Sequence, residues 1–218
     1  MSKNFILGLI SFLLFYFMIP TTSFAYDISD DYSLGYKIGT NLKALSGDHD
    51  VQEYWDESQK NQLKNIKKVL VLTTINPNSI DYIGYQNTNL IVENLGYKAL
   101  LDNKFNVEKA SNIQSLIIQT LPNATSEQKQ QAMINHIMNS NIDAMLIIDI
   151  GAFTRVNSSA IVLFNMKLIN LKNPSFPIMV ERQEYRIANS SRFKVASADG
   201  TGQRILNKFI KDIVKETN

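Results

Sequence analysis

Residues 142–151 read Ile-Asp-Ala-Met-Leu-Ile-Ile-Asp-Ile-Gly, with an unbroken apolar run from Met145 to Ile148 bounded by Asp143, Asp149 and Gly151. A run this short, closed early by a glycine, predicts a strand covered on both faces rather than a helix. Thr125 followed by Gln128 is a capping-box pattern, and Met133, Ile134 and Ile137 mark the inward face of the helix it opens. After the run, Ala160, Val162, Phe164, Met166 and Leu168 alternate with a set including Asn165 and Lys167, predicting a strand with one fully buried face. A turn at Leu171-Lys-Asn-Pro174 leads to a last strand over residues 178–187, whose Glu181, Arg182, Glu184 and Arg186 suit a charge-protected sheet edge.

Upstream, the β-branched residues 66–74 predict a strand, and Asn76-Pro-Asn-Ser79 a turn into a helix reaching Leu101. Ile80, Ile83, Leu90, Ile91, Leu95 and Leu100 are its expected core residues, and Gly96 its expected kink. Residues 105–109 form a short strand, and Ile113, Leu116, Ile117 and Leu121 a helix ended by Pro122. A final amphipathic helix over residues 202–216 buries Ile205, Leu206, Phe209, Ile210, Ile213 and Val214, with Lys208, Lys211, Asp212 and Lys215 in water. The order βαβααβββα predicts an α/β (α+β) domain over residues 66–218, a mixed sheet of about five strands with helices packed on it. Residues 26–65 are expected to form a helical N-terminal arm. Leu34, Ile38, Leu42 and Leu45 recur at helical spacing, and Asp50 is placed to cap a second short helix carrying Val51, Tyr54 and Trp55.

The first 25 residues change the picture of location. Lys3 precedes an apolar stretch from Phe5 to Met18, and Ser23-Phe-Ala25 has the small-x-small form of a signal-peptidase site. Fourteen helical residues reach about 21 Å, short of the ~30 Å hydrocarbon core. A cleaved signal peptide over residues 1–25, and hence an exported, periplasmic protein, is expected, with an uncleaved anchor the alternative if the helix extends toward Ala25. Losing Lys3 takes the net charge from +2 to +2 − 1 = +1. Charges of both signs are interspersed, so a nucleic-acid surface is not indicated. With no cysteine, disulfides, thiolate metal sites and lipidation at an N-terminal Cys are excluded.

Candidate chemistry is sparse. Of the two histidines, His49 sits in a polar Gly-Asp-His-Asp stretch. His136 lies about 120° from the centre of its helix's apolar stripe, so both rings are expected in solvent. Asp27, Asp30, Asp31, Asp48 and Asp50 lack the ordered spacing and turn glycine of a calcium loop. Asp199-Gly-Thr-Gly202 precedes a helix without the Lys-Ser/Thr end of a phosphate loop, and reads as a helix cap. Asp149 is the most informative polar residue, since ligand-binding groups of α/β sheets often follow a buried strand, and Arg155 in the following turn is its candidate partner. Tyr54 and Trp55 together form a candidate protein-binding patch, because large aromatics are favoured interface anchors.

From residue 66 to 216 the chain resembles the α/β domain shared by CsgG, the amino-terminal domain of TolB, and outer-membrane activators of peptidoglycan synthases. The resemblance is carried by the opening strand Lys67-Lys-Val-Leu-Val-Leu72 and by residues 99–113 (Ala-Leu-Leu-Asp-Asn-Lys-Phe-Asn-Val-Glu-Lys-Ala-Ser-Asn-Ile). The run at residues 142–148, the strand at 162–171 with its Asn173 turn, and the closing helix complete it. Where that superfamily usually has a glycine after the hydrophobic run, this chain has Asp149, and the lipid-bearing cysteine of many relatives is absent. The short connections at residues 153–160 and 171–177 leave no room for pore-forming hairpins. The resemblance implies an accessory protein of a bacterial envelope assembly or secretion machine. It would act through protein–protein contacts, without catalysis, cofactor or metal, and with homo-oligomerisation open. A periplasmic small-ligand module with a pocket near Asp149 is the alternative expectation.

Overall fold

One mixed six-stranded sheet, in the order β1-β6-β5-β4-β2-β3, organises the chain. The computed structural model describes residues 49–76, 82–156, 159–174, 176–187 and 197–216. The expected leader, the helix carrying Leu34 to Leu45, and the acidic residues Asp27, Asp30, Asp31 and Asp48 lie outside them. Strand β1 (His49–Trp55) is followed by a one-turn helix α1 (Glu57–Lys60) and a 3-10 turn at Leu63–Asn65. Next come β2 (Lys68–Ile75), α2 (Thr88–Asp102), β3 (Asn106–Lys109), α3 (Ala110–Thr120) and α4 (Ser126–Asn139). Then β4 (Ala144–Val156), β5 (Ser159–Asn170), β6 (Met179–Ile187) and α5 (Ala198–Lys215) complete the chain. From β2 onward this is the expected βαβααβββα order. Among the described residues no helix is long and apolar enough to cross a membrane.

The sheet changes character across its width. β3, β2 and β4 run parallel, and β4, β5, β6 and β1 alternate antiparallel. Alternate residues therefore face two different layers. Val69, Val71, Leu146, Ile148, Phe164 and Met166 pack with Val92, Ile205, Phe209 and Ile210, the buried faces of α2 and α5. Leu70, Leu72, Met145 and Ile147 pack with Ile113, Ile117, Ile134 and Ile137 of α3 and α4. Burial on both faces is why β2 and β4 read as continuous apolar runs.

Gly151 does not end β4. Ile150 pairs with Phe164 and Ala152 with Leu163, so Gly151 is the extra residue of a bulge within a strand that continues to Val156. A Cβ on Gly151 would lie 2.7 Å from Leu163 Cδ2, so the bulge needs glycine there. The bulge shifts the alternation by one, returning Phe153 to the α2/α5 face, where its ring stacks on Phe164 with centroids 6.0 Å apart. Gly96 is buried where α2 lies close against Ile148 and Val71; it serves close helix–sheet packing.

Three expectations are corrected here. Residues 49–55 form a strand antiparallel to β6, not a helix, because cross-strand pairing along all seven residues outweighs their local pattern. The sheet consequently has six strands and begins at His49. β6 is interior, between β5 and β1, and alternation places Glu181 and Gln183 on the core side, both with no exposure. Its charges do not guard an edge. Helix α2 starts at Thr88 after Asn87, whose positive φ of 58° breaks any earlier helix. Gly84 lies outside it, tight against Thr154.

Candidate functional site

At the carboxyl ends of β2 and β3, where the α2 layer meets α3 and α4, the surface forms a groove of about 480 Å³. Its apolar floor comes from Leu72, Ala110, Ile117 and Met133, and Leu90 and Ile118 stand on its lips, 42% and 50% exposed. Large side chains left this open in two facing helices are poised for apolar contact. The polar groups around it include Thr73, Glu93, Ser111, Gln114, Ser126 and Lys129.

Several of those groups are already committed to the fold. Thr73 Oγ1 donates to the Asn89 carbonyl at 3.0 Å, tying β2 to the first turn of α2. Glu93 is buried, and its Oε1 accepts the backbone N–H of Ser111 at 3.0 Å while Oε2 accepts the Ser111 hydroxyl. A carboxylate from α2 therefore caps the amino end of α3, where the helix dipole favours negative charge. The Thr125–Gln128 capping box forms as expected, with both reciprocal bonds in place. Lys129 Nζ donates to the Pro122 carbonyl at 3.3 Å. The arrangement suits holding a partner's apolar side chains between polar rims.

The residues singled out in the sequence are not brought together. Tyr54 and Trp55 are neighbours in a strand, so they point to opposite faces. Tyr54 is 62% exposed, across from Val180. Trp55 packs against the α2/α5 core, with Lys60 Nζ 5.0 Å from its ring centroid and its indole N–H donated to Glu53. A joint aromatic patch does not exist. Asp149 sits opposite Asn165 on the α3/α4 side and accepts the Thr74 hydroxyl at 3.0 Å. Burial pushes its carboxyl above the usual range, against the opposing Thr74 hydroxyl, Lys167 charge and Asn165 amide. Arg155 lies within β4 rather than in a turn, is exposed, and is paired with Ala160 beyond the bulge. The bulge places it on the face opposite to Asp149, so the two are not partners.

His136 also departs from expectation. Its Nε2 lies 2.9 Å from Glu108 Oε1, and Lys68 Nζ lies 3.0 Å from Glu108 Oε2. The helix rim that looked solvent-facing runs beside β3 in the folded layer. Burial pushes Glu108 up, but hydrogen bonds from His136 and Lys68 and the Lys68 charge outweigh it, leaving the carboxyl below its ordinary range. The groove itself gave no sequence signal, because Leu90 read as an ordinary core position of its helix and Ile118 stood out in no pattern.

No protein-family model matches the chain, and no curated protein matches it. Among solved structures, the fold is similar to the PelC dodecamer from Paraburkholderia phytofirmans, with a TM-score of 0.52 and 9% identity over 76% of this chain and 97% of that one. A second PelC dodecamer structure gives a TM-score of 0.50, 9% identity, and coverage of 75% and 98%. Lipoprotein GNA1162 from Neisseria meningitidis is matched at a TM-score of 0.41 and 15% identity, over 67% and 96% of the two chains. At these identities the likeness is one of fold.

Proposed function

We propose that this chain is an exported accessory protein of a bacterial envelope machine, non-catalytic, acting through protein–protein contacts as a homo-oligomer. The observation that carries the reading is the fold shared with PelC, a dodecamer, over 97% of the PelC chain. The signal-peptide pattern of residues 1–25 supports export, and the resemblance of residues 66–216 to the CsgG and TolB superfamily supports an envelope role. The groove between Leu90 and Ile118 offers a surface for a partner's apolar side chains.

The test is to express the full chain in a Gram-negative host, fractionate the cells, and determine the mass of the purified mature protein by native mass spectrometry. Periplasmic or envelope recovery, a new amino terminus near Tyr26 and a mass of several protomers are expected. A cytoplasmic product with its leader intact overturns the export reading, and a strict monomer at micromolar concentration overturns the oligomer.

A further inference from the structure

Three carboxylates from three elements converge at the β1 side of the sheet, beneath the carboxyl-terminal half of α5. Glu53 on β1 and Glu181 on β6 are directly opposed across the ladder, an arrangement in which like charges repel. Asp212 reaches the same point from α5. One carboxylate oxygen from each residue lies within 4.8 Å of those from the other two.

Glu181 makes the cluster more than a solvated acidic patch. It is fully buried, and among the described residues no donor reaches its Oε2. Its Oε1 is occupied, accepting the Gln183 amide and lying 3.5 Å from Lys208 Nζ. Lys208 is also 3.9 Å from Asp212 Oδ2, and Lys215 is 3.0 Å from Asp212 Oδ1. Among the described residues two ammonium groups face the three carboxylates, and Lys215 is 75% exposed, so its charge is largely screened. A buried carboxylate oxygen with no donor is costly in a folded protein and calls for a cation or a proton.

We propose that Glu53, Glu181 and Asp212 bind a divalent cation, with calcium the ion of best fit. The donors are all carboxylate oxygens, the set preferred by hard cations. Calcium–oxygen distances of about 2.3–2.6 Å let three ligand oxygens around one ion lie within the observed 4.8 Å of one another. Magnesium demands near-ideal octahedral geometry and keeps several waters, whereas calcium accepts irregular sets of carboxylate oxygens. Glu181 Oε2 supplies the buried ligand, exposed Glu53 marks the solvent side by which the ion enters, and water fills the remaining positions. The Trp55 indole N–H, donated to Glu53, holds that carboxylate and puts the protein's only tryptophan beside the ion. This inference does not depend on the proposed function.

The tryptophan makes a direct assay available. Terbium(III), a calcium surrogate, is titrated into the chelator-treated mature protein with excitation of Trp55 and detection of sensitised terbium emission. Saturable emission that excess calcium displaces is expected. Glu181→Gln, which removes a buried charge and keeps the side-chain shape, should weaken terbium binding about tenfold or more, as ligand charge governs such affinities. Glu53→Gln and Asp212→Asn, at more open positions, should do the same. Lys208→Met should tighten binding by removing the competing ammonium, and Asp102→Asn, outside the cluster, should change nothing. Calcium should raise the unfolding midpoint of the wild type and not of Glu181→Gln. Absence of saturable emission, or equal titrations for wild type and all three carboxylate variants, overturns the site and leaves Lys208 as the cluster's counter-ion.

Discussion

Asp143 stands at the entrance to β4, and its carboxylate braces the parallel pair at the centre of the sheet. Oδ2 accepts the backbone N–H groups of Lys67 and Lys68, each at 3.0 Å, and Oδ1 lies 3.3 Å from Lys172 Nζ. Hydrogen bonds to a charged acceptor contribute about 1.5–3 kcal/mol each. The Lys67 amide is at the exposed end of β2 and recovers water when released, so the pair is worth less than twice that figure. The Lys172 contact, with that lysine 69% exposed, adds about 0–1 kcal/mol. Asp143→Ala should therefore cost about 2–4 kcal/mol, and Asp143→Asn, which keeps a neutral acceptor, about 1 kcal/mol.

The pH dependence is the sharper part of this prediction. Burial pushes the Asp143 carboxyl up, but the Lys68 and Lys67 amides and Lys172 outweigh it and hold it below the ordinary 3.8. A folded value below the unfolded one means that the charged form stabilises the native state above pH 3.8, and that the gain is lost as pH falls through the folded value. Urea unfolding of wild type, Asp143→Ala and Asp143→Asn at pH 7 and pH 3 checks both parts, with the wild-type advantage over Asp143→Asn shrinking at the lower pH. A cost for Asp143→Ala below about 0.5 kcal/mol refutes the brace. An unchanged difference between the two pH values refutes its electrostatic origin.

Three further outcomes are expected. Trp55→Ala should lower stability by about 2–3 kcal/mol in chemical denaturation, while Tyr54→Ala, on the exposed side of the same strand, stays within about 0.5 kcal/mol of wild type. Lys104 holds a φ of 68° in the Schellman turn that ends α2, its N–H bonded to the Leu101 carbonyl and that of Phe105 to the Leu100 carbonyl. Lys104→Gly should consequently raise the unfolding free energy by about 0.5–1 kcal/mol, and a loss of stability would contradict that account. Burial pushes the Glu181 carboxyl above its ordinary 4.5, against Lys208 and Gln183, with Glu53 and Asp212 adding to the rise. A raised folded value means the native state loses stability as pH climbs from 4.5 to that value, so in calcium-free buffer Glu181→Gln should gain on wild type across that interval. Parallel stability–pH curves for the two proteins would count against it.

Local sequence pattern alone determined the elements from β2 to α5 in their correct order, the capping box at Thr125, and the doubly covered strand β4. Those signals are local: a strand buried on both faces must be apolar throughout, and a helix on one face must repeat its apolar residues every three or four positions. The tertiary structure decided what such spacing cannot carry. β1 is a strand because β6 pairs with it; β6 is interior, and Glu181 buried, for the same reason. The bulge at Gly151 turned Arg155 away from Asp149, and the strand pleat separated Tyr54 from Trp55. His136 found Glu108 only once α4 lay beside β3. The groove and the three converging carboxylates likewise join residues far apart in the chain. Their chemistry resides in distances between elements, which no single stretch of the chain encodes.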